Sequence, residues 1–202
     1  MYPTTNSISS RDITFWHITT ATHNSRYSQR MFNYHIPRGT PRWIGEIEEL
    51  VITKTFAEIV KSDNLTIPAY NICGDHMHFI LVCNKEEVSK IVGKIKAMTA
   101  RSANRAMGYT DTTMGHAPLS RHVPLPSRQS PSSEQIPLSS KKEREQRSVH
   151  LWTQKFGKKQ ILDRSQYMNT IRYIQNNRIK HHLPVNSKLQ EIIDNFVSRY
   201  RI

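Results

Sequence analysis

Residues 65–83, LTIPAYNICGDHMHFILVC, constrain the fold more than any other stretch. Two runs rich in β-branched, aromatic and aliphatic side chains flank Gly74 and Asp75, and two turn residues between such runs mark a tight β-hairpin. A two-residue loop sets the register, so Cys73 opposes His76 and Asn71 opposes His78. Side chains alternate along a strand, which puts His76 and His78 on one face and Met77 and Phe79 on the other. Pro68 has no N–H to give a ladder, and this favours an edge position or a strand start for the first run.

Alternating elements surround the hairpin. Residues 13–22, ITFWHITTAT, have strand composition, and 23–42, with Pro37, Gly39 and Pro41, read as a long loop. Ile44, Ile47, Val51, Phe56 and Ile59 recur at helical spacing and predict an amphipathic helix over 43–60. From Glu86 onward, Val88, Ile91, Val92, Ile95, Met98 and Ala103 predict a second helix, with Lys90, Lys94, Lys96, Arg101 and Arg105 on its remaining surface. Residues 109–148 mix prolines with serines and end in KKEREQR, the composition of a mobile or partner-ordered insertion. LWTQKFGKKQIL (151–162) reads as a strand. Asp163 or Ser165 then caps a helix to about Arg178. SKLQ, at 187–190, has capping-box spacing ahead of a tail helix over 187–200. This order fits a single α+β domain over 1–202: a ferredoxin-like or RRM-like, mostly antiparallel sheet with helices packed on one face, plus a C-terminal helix.

Composition narrows the partners. The 202 residues carry a formal net charge of +13, an excess that points to a polyanion, most often nucleic acid. An anionic membrane surface is the rival, but no apolar run approaches the roughly 18 residues of a spanning helix. MYPTTNSISSRD lacks the apolar centre of a secretory signal. Two cysteines, Cys73 and Cys83, are too few for a disulfide framework. A cytoplasmic protein is the expectation. No glycine-rich phosphate loop is present, so nucleotide-cofactor chemistry has no support.

The chemistry-bearing residues form two groups. His76 and His78 on one strand face are a ready pair of metal ligands, although each could equally pack against a helix with its hydrogen bonds satisfied. In IRYIQNNR (171–178), Tyr167, Ile171 and Ile174 share one helix face, while Tyr173 lies roughly 120° away, off the core stripe. Asn177, four residues on, shares the face of Tyr173. Taken alone, a tyrosine beside an amide on such a face is more often a surface residue than a functional one.

GDHMHFILV resembles the HUH motif (His, hydrophobic, His), and RYIQNN resembles the helix bearing the nucleophilic tyrosine of single-tyrosine HUH transposases, among which the REP-associated tyrosine transposases are the nearest branch. The similarity extends to WHITTAT, VSKIVGKIKAMTARSANR and LWTQKFGKKQIL. It implies that His76 and His78 bind a divalent ion, Mg²⁺ or Mn²⁺, with Asn177 able to complete the metal shell, and that Tyr173 is the nucleophile. It further implies that attack leaves the DNA 5′ end on the tyrosine and frees a 3′ hydroxyl. Arg178 departs from the pattern, since the REP-associated branch usually carries proline there.

That chemistry suits these residue types. A free tyrosine hydroxyl, with a pKa near 10, is a poor nucleophile unaided, and a divalent ion polarises the phosphate and stabilises developing charge. Lys90, Lys94, Arg101, Arg105, Lys155, Lys158 and Lys159 are the expected phosphate contacts along single-stranded or hairpin DNA. Trp16, Trp152, Tyr109 and Phe156 could stack on bases or fill the core. Two other classes fit the same residues: a non-catalytic binder of hairpin or single-stranded nucleic acid, and an HxH metal hydrolase drawing on His17 or Asp75. Monomer and homodimer are both open.

Overall fold

Two turn residues and an alternating pattern are enough to build the hairpin in the register expected. In the computed structural model, which describes residues 13–27, 29–37, 39–109 and 150–198, β2 (Thr66–Cys73) and β3 (His76–Cys83) pair with Cys73 opposite His76 and Asn71 opposite His78. Pro68 falls in the register shift between Thr66 and Ala69, where a missing N–H costs no ladder bond. Gly74 has a steric reason: the indole of Trp43 lies where a Cβ would project.

β1 (Thr14–Ala21) pairs antiparallel with β3 on one side and with β4 (Gly157–Ile161) on the other. Among the described residues the sheet runs β2-β3-β1-β4, with β2 at an edge, as Pro68 indicated. This is the α+β, ferredoxin-like order expected.

Both faces of the sheet are covered, which refines the one-face expectation. Trp16, Ile18, Tyr70, Ile72, Met77, Phe79 and Leu81 pack against α2 (Glu46–Ser62), α3 (Val88–Ala106) and α6 (Ser187–Phe196). On the other face, Ala69, Ile80 and Ile161 pack with Tyr167 and Ile174 of α4 (Arg164–Gln175). α4 crosses over because it has a second apolar stripe to bury, and the first face is already filled.

Local readings differ in four places. The long loop contains α1 (Gln29–Asn33). In α2 the buried stripe is Ile52, Phe56, Ile59 and Val60, whereas Ile47 is 65% exposed. Glu48 and Glu49 take the inward positions instead, because Arg42 pairs with Glu48 and Arg178 with Glu49. Of 151–162, only Gly157–Ile161 is strand; Trp152 makes a single bridge to Thr22. The tail helix is capped by Asn186, whose side chain accepts from Leu189 N–H at 3.0 Å, so Ser187 is its first helical residue. The Pro/Ser-rich stretch lies outside the described residues except for Tyr109. No helix among the described residues is long and apolar enough to cross a membrane.

Candidate active site

Alternation along β3 sends His76 and His78 to the face covered by α4, and both are buried, at 1% and 5% exposure. Each imidazole is held from behind through Nδ1. Asp75 in the hairpin turn hydrogen-bonds Nδ1 of His76, an arrangement that orients a ligating histidine and leaves Nε2 facing forward. Nδ1 of His78 meets Thr19 Oγ1 at 3.0 Å and His17 Nε2 at 3.2 Å. His17 and Asp75, the extra groups a hydrolase would need, therefore sit behind the pair.

The forward nitrogens meet the tyrosine helix. Tyr173 Oη lies 3.4 Å from His78 Nε2, and Asn177 Nδ2 lies 2.7 Å from His76 Nε2. Tyr173 is 40% exposed, with Lys180 Nζ 5.4 Å from its ring centroid. Asn177 is buried, yet its Oδ1 has no hydrogen-bond partner. Tyr167 is enclosed instead, edge-on to Phe15. Tyr173 is thus the tyrosine that reaches the histidines.

A break in the helix aims Asn177 inward. α4 stops at Gln175 and a four-residue turn, α5 (Asn177–Lys180), begins after Asn176. Asn71 of β2 donates from Nδ2 to the carbonyls of Ile174 at 2.8 Å and Gln175 at 3.3 Å, supplying a donor to groups at the helix end. Arg178 locks the new direction, donating to Glu49 Oε2 at 2.8 Å, Ile72 O at 3.0 Å and Pro184 O at 3.0 Å. Where the resembled branch usually has proline, this chain has a clamp.

Burial and neighbouring groups lower three histidines of the site, His78, His17 and His181. Burial, then the neighbouring His76 and His17, push His78 down to about 3. Burial and then Lys159 lower His17, and His181, whose ring packs 4.8 Å from that of His76, is also lowered, first by burial. The hydrogen bond from His76 holds Asp75 below the usual carboxylate range. Burial pushes the Cys73 thiol up to about 12, so Cys73, 3.4 Å from Asn177 Nδ2, stays protonated at neutral pH.

The expected phosphate contacts separate. Lys159 shares the face of His17, its register partner, and lines a cleft beside Tyr173. Lys158, one residue earlier, points to the opposite face over Trp16. Lys90, Lys94, Arg101 and Arg105 are exposed on α3, across the sheet from the tyrosine, and Lys94 is paired with Asp63. Lys155 is exposed ahead of β4. Trp16 and Trp152 are core residues, their indoles donating to Cys83 O and Thr99 Oγ1. Sequence reasoning missed Thr19, Asn71 and Arg26, whose guanidinium lies 3.8 Å from Asp75; Asn71 had one signal, its register position opposite His78.

On the sheet face that α4 covers, paired imidazoles thus meet a phenol and an amide. Residues 38–117, a stretch that carries the histidine hairpin and the whole of the basic helix α3, match the family described as Transposase IS200 like. Two solved structures are similar to this chain. One is a REP-associated tyrosine transposase bound to a REP hairpin, at 15% identity and a TM-score of 0.44, covering 83% of this chain and 68% of that one. The other is a candidate transposase from Deinococcus radiodurans R1, at 12% identity and a TM-score of 0.44, covering 87% and 97%. No curated protein matches.

Proposed function

We propose that this chain is a transposase that nicks and rejoins single-stranded or hairpin DNA through a covalent 5′-phosphotyrosine on Tyr173, with Mg²⁺ or Mn²⁺ held by His76, His78 and Asn177. The observation that carries the reading is the convergence of Tyr173 Oη and the Asn177 amide on the two forward nitrogens.

The donor set suits such an ion. Among the described residues no three His, Cys, Asp or Glu side chains group around one point, so the set is two imidazoles and an amide. The unpartnered Asn177 Oδ1 supports this, because a half-turn of the amide exchanges it with the nitrogen now at His76. Few protein ligands suit an ion that keeps waters and takes substrate phosphate oxygens. When bound, the ion would polarise the scissile phosphate and offset the charge that develops on it.

The chain's own groups supply the rest. Tyr173 Oη forms the bond to phosphorus as the bond to the 3′ oxygen breaks. The phenol loses a proton and the 3′ oxygen gains one, so one phosphodiester becomes another and rejoining needs no ATP.

The test is labelled hairpin DNA incubated with Mn²⁺ and run on a denaturing gel. The wild type gives a covalent adduct; Tyr173→Phe gives none, and His76→Ala loses metal-dependent cleavage. An adduct persisting in the Phe variant would overturn Tyr173 as nucleophile. Salt-sensitive binding without any adduct would favour the non-catalytic binder instead.

A further inference from the structure

We infer that the cleft between β4 and α4 is a subsite for one unpaired nucleotide adjoining the scissile phosphate, and that Asn169 reads its base; this rests on the nicking reading above. The cleft, about 370 Å³, opens beside Tyr173 and lies within the range of sites that enclose small ligands.

α4 carries two stripes. Tyr167, Ile171 and Ile174 pack into the core, whereas Gln166, Asn169, Thr170 and Tyr173, at spacings i, i+3, i+4 and i+7, line the cleft. A stripe serving only solvation would carry charges at no particular place. This one ends at Tyr173, beside His17, with Lys159 across the opening and Ile161 as apolar floor. The order matches a nucleotide: a cation for phosphate, an apolar surface for the base plane, and amides for its edge.

Local bonds decide which group is free to read. Gln166 Oε1 accepts from Leu162 N–H at 3.1 Å, and Thr170 Oγ1 donates to the Gln166 carbonyl at 2.7 Å. Asn169 makes no hydrogen bond to another described residue and is exposed, so its amide offers both a donor and an acceptor. An amide of this kind pairs with a base edge presenting both, as adenine does.

The experiment uses full-length protein and hairpin DNA carrying either a base or an abasic site at each position flanking the cleavage point, reading affinity in EDTA and adduct rate in Mn²⁺. At one flanking position the abasic site lowers affinity and rate about tenfold in the wild type. In Asn169→Ala, a substitution that favours the helix, that penalty shrinks to within about twofold. Asn169→Trp, which fills the cleft, weakens binding of the intact substrate. An adduct forming with no dependence on any flanking base, or a full penalty retained in Asn169→Ala, overturns the subsite. Base-dependent, Asn169-dependent binding with no adduct keeps the subsite and overturns the nicking reading.

Discussion

Asn71 is where the sheet grips the tyrosine helix, so its removal tests how the site is assembled. Asn71→Ala deletes two donors to the carbonyls of Ile174 and Gln175, and the bond to Ile174 is buried. A buried acceptor left without a partner costs about 1–3 kcal/mol. Asn71 Oδ1 is itself unpartnered, and losing that atom offsets part of the cost. The net expectation is a loss of about 2 kcal/mol, which for a chain of this length lowers Tm by roughly 4–8 °C.

Function should fall further than stability, because the end of α4 sets both Tyr173 and the start of α5. Asn71→Asp separates the two effects. A carboxylate cannot donate to the carbonyls, but the protonated acid can, so the folded state raises the pKa of the new group above its unfolded value. Its contribution is therefore present at low pH and lost as pH rises through the folded pKa. Melts at pH 4.5 and 7.5, paired with adduct assays, read this directly: Asp approaches wild type only at the lower pH, and Ala is low at both. If Asn71→Ala melts with the wild type and forms adduct at the wild-type rate, Asn71 does not hold the helix and the account of the break at Asn176 is wrong.

Three further outcomes follow from the same geometry. Arg178→Ala leaves Glu49 buried without its partner, and Glu49 is already raised by burial against the lowering effect of Arg178; urea denaturation should show a loss of about 3 kcal/mol, mostly recovered in the Arg178→Ala, Glu49→Gln double variant. His78, pushed down to about 3, stays neutral when folded but binds a proton when unfolded below pH 6.5, so it destabilises as pH falls through that window. In EDTA this amounts to about 2 kcal/mol at pH 5 relative to pH 7, and melts of His78→Phe should lack that slope. Gly74→Ala drives a Cβ into the Trp43 indole and should cost about 1–3 kcal/mol; adding Trp43→Ala removes the collision and most of that penalty, as read by thermal melts.

The hairpin was legible because everything that sets it is local: two turn residues, period-two alternation, and a proline with nowhere to donate. The strand order was legible because short connections leave few ways to arrange the elements. The second face was not. Tyr167, Ile171 and Ile174 announced an apolar stripe, but which face receives it depends on how completely α2, α3 and α6 fill the other, a volume that no single segment encodes.

The same division runs through the site. His76 and His78 follow from alternation, and Tyr173 from its position off the apolar stripe. Asn177 reaches the histidines for a reason absent from its own segment: Asn71, 103 residues before Ile174, takes the carbonyl at the helix end, and Arg178 fixes the turn that follows. Charge shows the same limit. A run such as GKKQI declares two lysines, yet only the pairing of His17 with Lys159 decides that Lys159 lines the cleft and Lys158 lies over Trp16. Composition therefore raises the expectation of a polyanionic partner, while which cations share the face of Tyr173 is decided by cross-strand register. On the proposed function, the lysine beside the tyrosine, rather than the more numerous cations of α3, is the one placed to hold a phosphate next to the cleavage point.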